Sequence, residues 1–150
     1  MYPDERVSRF ITDNFITARV HVRDQAEDFQ RLGALYSAQW TPTILELDAS
    51  GTERHRIEGF LTADDFLAQL RLGLGHAAFK GGKWEAAEGY FQGIVDEHPA
   101  TDTAPEARYW AGVARYKRGG NAADLIETAR VLADRYGDST WAKKAAIWKP

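Results

Sequence analysis

The side chains able to do chemistry are few and scattered. Four histidines, His21, His55, His76 and His98, fall in different segments, and no two share metal-ligand spacing on one helix face. The pattern therefore assigns them to solvated or capping roles and implies no metal. Asp64-Asp65 is an adjacent carboxylate pair that could suggest acid-base work, but it follows Thr62 where a helix should begin, and a helix N-terminus favours negative charge. Capping explains it. Cysteine is absent, which removes disulfides, thiolate ligands and thiol redox chemistry from these residues. Gly73-x-Gly75 lies inside a helical pattern, and Gly81-Gly82 and Gly119-Gly120 read as turns, so no phosphate loop is present; there is no nucleophile elbow either. No catalytic residue and no cofactor are expected. What remains is a binding edge at Trp40-Thr41-Pro42, where proline forces the preceding residue extended and begins a strand without costing it a ladder bond.

The bulk numbers agree with a binding role for an ordinary folded chain. With 150 residues, 44% hydrophobic and 27% charged, the chain suits one domain or two small units sharing a core. The net charge of −3 arises in the first 60 residues, where 10 acids meet 7 bases; the remainder carries 12 of each. That balance offers no basic stripe for nucleic acid and no polybasic patch for a membrane. No apolar run reaches membrane-spanning length and the start lacks a signal-peptide pattern, so a cytoplasmic location is the expectation.

The elements that position the edge follow in order. Asp4 caps a helix with Val7, Phe10 and Ile11 inward, and Pro3 suits its entry. Phe15 to Val22 changes to a period of two, with Ile16, Ala18, Val20 and Val22 on one face, and reads as a strand. Asp24 opens a second helix that ends at Ser37-Ala38-Gln39. Thr43 to Asp48 and Glu53 to Gly59 form an antiparallel hairpin around Ala49-Ser50-Gly51-Thr52. Thr62 with Asp65 is a capping-box variant that starts a long helix over 63–80.

Helical hairpins follow. Trp84 to Glu97, Thr103 onward through Tyr116, Ala122 to Tyr136 and a short closing helix from Thr140 to Trp148 are broken by Gly81-Gly82, His98-Pro99 and Gly119-Gly120. Leu74-Gly75, Gly82, Trp84, Ala87, Phe91, Ile94 and Pro99 fall at the spacings of one tetratricopeptide repeat, and the stretch resembles that family. Pro105 to Tyr136 resembles a second, degenerate repeat; Gly112 and Gly119 match, while Asp124 stands where a small residue is expected. The resemblance implies that first helices line a concave surface, which turns Gln69, His76 and Lys80, then Tyr109, Tyr116 and Lys117, toward a protein or peptide partner.

Residues 2 to 75 resemble the thioredoxin fold of thiol-disulfide interchange proteins, on the order helix, strand, helix, Trp40-Thr41-Pro42-Thr43, hairpin, and Gly59-Phe60 leading into a last helix. The resemblance implies a cis Pro42 and a Thr41 whose backbone meets an extended peptide. The central strand and Cys-x-x-Cys turn of that family do not occur in these 150 residues. Either the sequence is a fragment, another segment supplies the strand, or the sheet has closed up. The fold expected is α/β, an incomplete three-layer thioredoxin-like unit over 1–75 followed by an all-α tetratricopeptide-like hairpin array over 63–150, the two sharing helix 63–80. The function expected is non-catalytic binding of polypeptides, as an adaptor or chaperone-like protein, without nucleic acid or membrane as partner. The alternatives are the remainder of a thioredoxin-family oxidoreductase whose Cys-x-x-Cys lies upstream of Met1, and a homo-oligomer that completes the sheet.

Overall fold

A computed structural model describes residues 4–149. The chain divides into two compact units after Leu67, and each is described in turn. The expected entry at Pro3 lies outside the described residues.

The first unit begins with α1 (Glu5–Asn14), capped as anticipated: the Asp4 carboxylate accepts from the Arg6 backbone N–H at 2.8 Å. The Arg6 guanidinium then joins Asp4 to Asp64, at 2.7 and 2.8 Å. These exposed pairs add little stability. Val7 is the buried anchor of α1.

The expected strand from Phe15 to Val22 does not form. Residues 15–21 lie in no ladder and Ile16 is fully exposed. Alternation fixes which side chains would share a face, but a strand exists only when another backbone accepts its hydrogen bonds, and among the described residues none does so here. The helix expected from Asp24 starts instead at Ala26 (α2, Ala26–Tyr36). Asp24 is held back in a turn, its N–H on His21 Nδ1 at 3.3 Å and its carboxylate on the same ring at 3.0 Å.

β1 (Thr43–Leu47) and β2 (Glu53–Glu58) form the two-stranded antiparallel sheet, with Ile44 opposite Ile57 and Glu46 opposite His55. An irregularity between Glu46 and Leu47 shifts the register, so that Leu47 pairs with Glu53, and Asp48 leaves the strand to build the turn. Its carboxylate accepts from the Ser50 hydroxyl above all, then from the Thr52 backbone N–H, Arg54 Nε and the Ser50 backbone N–H, which together hold it well below the usual carboxylate range. Gly51, at φ 80°, supplies the left-handed residue that the turn requires. The C-terminal end of α2 is tied to the hairpin by Tyr36, whose hydroxyl donates to Gly51 O at 3.0 Å while its carbonyl accepts from Arg56.

α3 (Ala63–Lys80) starts from the reciprocal cap anticipated for Thr62. The Asp65 N–H donates to Thr62 Oγ1 at 3.2 Å, and that hydroxyl donates to Asp65 Oδ2 at 2.6 Å. Thr62→Ala should lower the unfolding free energy by about 1 kcal/mol, read from the urea midpoint. An unchanged midpoint would show that the helix is set by packing alone.

The second unit comprises the remainder of α3 with α4 (Trp84–Glu97), α5 (Ala104–Gly119), α6 (Ala123–Tyr136), α7 (Thr140–Ala145) and a 3-10 turn at Ala146–Trp148. Its core is Ala68, Leu72, Ala87, Phe91, Ile94, Val95, Ala107, Ala111 and Ala114, all buried. Small residues let the helices close on one another. A Cβ at Gly75 would lie 2.7 Å from Phe91 Cδ1, and one at Gly112 would lie 2.7 Å from Thr128 Cβ. Ion pairs join successive helices: Arg71 clasps Glu97 through two bonds of 2.7 and 2.6 Å, and Glu88 takes Arg115 at 2.8 Å and Arg118 at 3.0 Å. Ser139 caps α7, and Ala142 and Ala145 seat it on Ala129 and Leu132.

Candidate peptide-binding surfaces

The first surface is the entry to β1. The Thr41-Pro42 bond is cis. Around it, Thr43 Oγ1 donates to Trp40 O at 2.7 Å and the Gly59 N–H donates to Pro42 O at 2.9 Å, so the elbow is fixed from both ends of the hairpin. Trp40 is left 67% exposed, with Phe60 85% and Leu47 43% exposed. β1 is bonded on one edge only, so its other edge keeps unpaired backbone groups among the described residues.

Glu46 lies in the middle of this strand and sequence reasoning passed over it. It is 7% exposed, its Oε1 has no hydrogen-bond partner among the described residues, and burial raises its pKa from an ordinary 4.5 to about 8. The signal was present in the sequence: Ile44 and Glu46 share a sheet face with Ile57 and His55, so alternation puts the carboxyl on the same face as two isoleucines.

The second surface is the row of first-helix positions in the helical unit, which divides into tied and exposed residues. The Gln69 amide donates to Thr103 Oγ1 at 2.9 Å, a bond across 34 residues that spans one repeat period. The His76 ring packs edge-on against Phe91 at 5.3 Å and Trp110 at 5.4 Å, with Nε2 3.5 Å from Glu106. Tyr109 stacks on Trp148 at 4.7 Å and meets Trp141 at 5.0 Å, and burial raises its phenol pKa. Tyr116 is half-buried; Lys80 and Lys117 are exposed. Trp141 of α7 and Trp148 of the 3-10 turn that follows it, both absent from the expected site, build the aromatic wall beside Tyr109, and Lys144 sits over the Trp141 ring at 3.9 Å.

Neither surface brings together a nucleophile and a base. His55 lies in β2 and His76 in α3, while His21 falls in the connection before α2 rather than on a strand, and His98, which follows α4, is buried rather than solvated. Among the described residues, no helix is long and apolar enough to cross a membrane.

With this geometry in hand, the comparisons place both halves. A thioredoxin-like domain family matches residues 2–73, and a tetratricopeptide repeat family matches residues 67–101. The chain thus consists of an incomplete thioredoxin-like unit followed by a tetratricopeptide-like helical array. The two matches overlap inside α3. No curated protein and no solved structure matches the chain.

Proposed function

We propose that the chain is a non-catalytic binding protein that holds extended polypeptide segments, as an adaptor or chaperone-like component. The observation that carries this reading is the open edge of β1, entered through cis Thr41-Pro42 and flanked by exposed Trp40. An edge strand with unmet N–H and C=O groups takes an added strand through main-chain bonds and leaves specificity to side-chain pockets. Trp40, Thr41 and Pro42 would form the near wall of that site. On the helical unit, Lys80, Tyr116 and Lys117 would meet the partner, while Gln69, His76 and Tyr109 position the helices and aromatic rings behind them. Two repeats are fewer than the three or so that usually make a stable solenoid, so the helical face serves as an auxiliary contact.

The test is binding of a labelled, permanently unfolded protein such as carboxymethylated lactalbumin, read by fluorescence anisotropy. Trp40→Ala should weaken binding about tenfold or more, as for an aromatic anchor, and Lys117→Ala by less. Unaltered binding in variants at Trp40, Thr41, Tyr109 and Lys117 would end the proposal.

The thioredoxin-like match over residues 2–73 favours a second reading, in which these residues continue a thioredoxin-family oxidoreductase whose Cys-x-x-Cys segment is encoded upstream. A coding sequence without such a segment ahead of Met1 would exclude it.

A further inference from the structure

The first unit contains two halves of a β ladder that has not been made. Residues 16–20 run without helix, turn or ladder, and none of their backbone groups makes a hydrogen bond among the described residues. Their side chains alternate, Ile16, Ala18 and Val20 against Thr17 and Arg19; Ile16 is fully exposed, and Arg19 is exposed with no ion pair among the described residues. β1 is the complementary half. One edge is bare, Leu45 and Leu47 share one face, and on the other Glu46 is more than nine-tenths buried with Oε1 unpartnered.

We propose that the bare edge of β1 takes residues 16–20 of a second copy, reciprocally, closing a two-fold dimer in which Arg19 of each copy stands beside Glu46 of the other. The inference rests on the reading above that this edge accepts an added strand, and it names the occupant. An antiparallel register with Arg19 opposite Glu46 also sets Val20 against Leu45 and Ala18 against Leu47, so charge and apolar pattern are met together. A register one residue off would set Arg19 against Leu45 or Leu47 and leave Glu46 opposite Ala18 or Val20, with no charge partner. The segment does not serve its own β1 in the single chain, where it is pinned at both ends. The Phe15 N–H is bonded to Ile11 O at 2.9 Å, and the His21 N–H is bonded to Gln25 Oε1 at 3.0 Å in the turn leading to α2. A reciprocal exchange uses both unmet halves of both copies and closes on itself, which excludes open filaments.

The experiment is sedimentation equilibrium of the purified chain over a wide concentration range, joined to a cross-linking pair. Mass should rise from 16.8 kDa toward twice that value with concentration. Arg19→Glu, at an exposed position, should weaken dimerisation about tenfold or more while leaving the circular dichroism spectrum unchanged. Because the chain has no cysteine, a mixture of Val20→Cys and Leu45→Cys chains should form the mixed disulfide on mild oxidation, since directly opposed Cβ atoms lie within disulfide reach. A constant monomer mass would overturn the inference. So would a dimer insensitive to Arg19→Glu that forms no mixed disulfide. A monomer that still binds the unfolded client refutes this inference alone, whereas a dimer as proposed that binds no client at any concentration refutes only the functional reading.

Discussion

Phe91→Ala is expected to lower the unfolding free energy by about 3–5 kcal/mol, among the largest effects of any single truncation in the helical unit. Phe91 is fully buried in α4, and it lies against the backbone of α3 at Gly75 and against the His76 ring. The cost of a cavity depends on how far its walls can collapse. Here much of the lining is alanine, at positions 68, 87, 107, 111 and 114, short side chains on rigid helices that cannot swing inward. The transfer loss and the cavity loss therefore both apply, and the effect should fall in the upper part of the range. The complementary change, Gly75→Ala, pushes a methyl into the ring and should cost about 1–3 kcal/mol by overpacking. Combining Gly75→Ala with Phe91→Leu, a shorter side chain, should cost less than the sum of the single changes, because the two share one volume. Urea titrations followed by helical circular dichroism give all four values. A loss of under about 1 kcal/mol for Phe91→Ala, or strict additivity in the pair, would show that the seam is not packed as described.

That seam was legible before any coordinates, and the contrast with residues 15–22 shows why. Trp84–Glu97 starts and stops where expected, because its breakers, Gly81-Gly82 and His98-Pro99, and its apolar period are all local. The hairpin turn and the Thr62 cap are equally local, fixed by Asp48, Gly51 and Asp65 within a few residues. Phe15 to Val22 carries as clear a pattern, yet its state depends on a backbone partner that its own residues cannot name. The same limit applies to the candidate surfaces. The tetratricopeptide resemblance takes Gln69, His76 and Lys80 from one helix, and all three lie in α3. It carries no information that Thr103 would take the Gln69 amide, or that Trp148 would lie on Tyr109, since each requires a residue more than 30 positions away. Buried Glu46 is a different case, a local departure from an apolar pattern. Such departures mark positions where stability has been set aside for something else.

Glu46→Gln is expected to remove most of the decline in stability that the protein should show between about pH 4.5 and pH 8. Burial raises the folded-state pKa of this carboxyl, and that fixes the sign. Below about pH 4.5 the group is protonated in both folded and unfolded chains and favours neither. As the pH climbs, the unfolded chain releases its proton while the folded chain keeps one until about pH 8. Stability therefore falls across that window at up to about 1.4 kcal/mol per pH unit, and above it the full penalty of an ionised, buried carboxylate persists. Glutamine abolishes the charge, and Glu46→Leu removes the unmet oxygen as well, so the leucine variant should be the more stable of the two at pH 8. The readout is the difference in urea midpoint between parent and variant at each pH, which isolates the contribution of the one carboxyl. Parallel pH profiles for parent and Glu46→Gln would show that the carboxyl is not confined in an apolar face. The profile should also depend on protein concentration. In the dimer an Arg19 guanidinium beside Glu46 favours the ionised form, so the decline between pH 4.5 and pH 8 should be steep for dilute monomer and shallow for concentrated dimer.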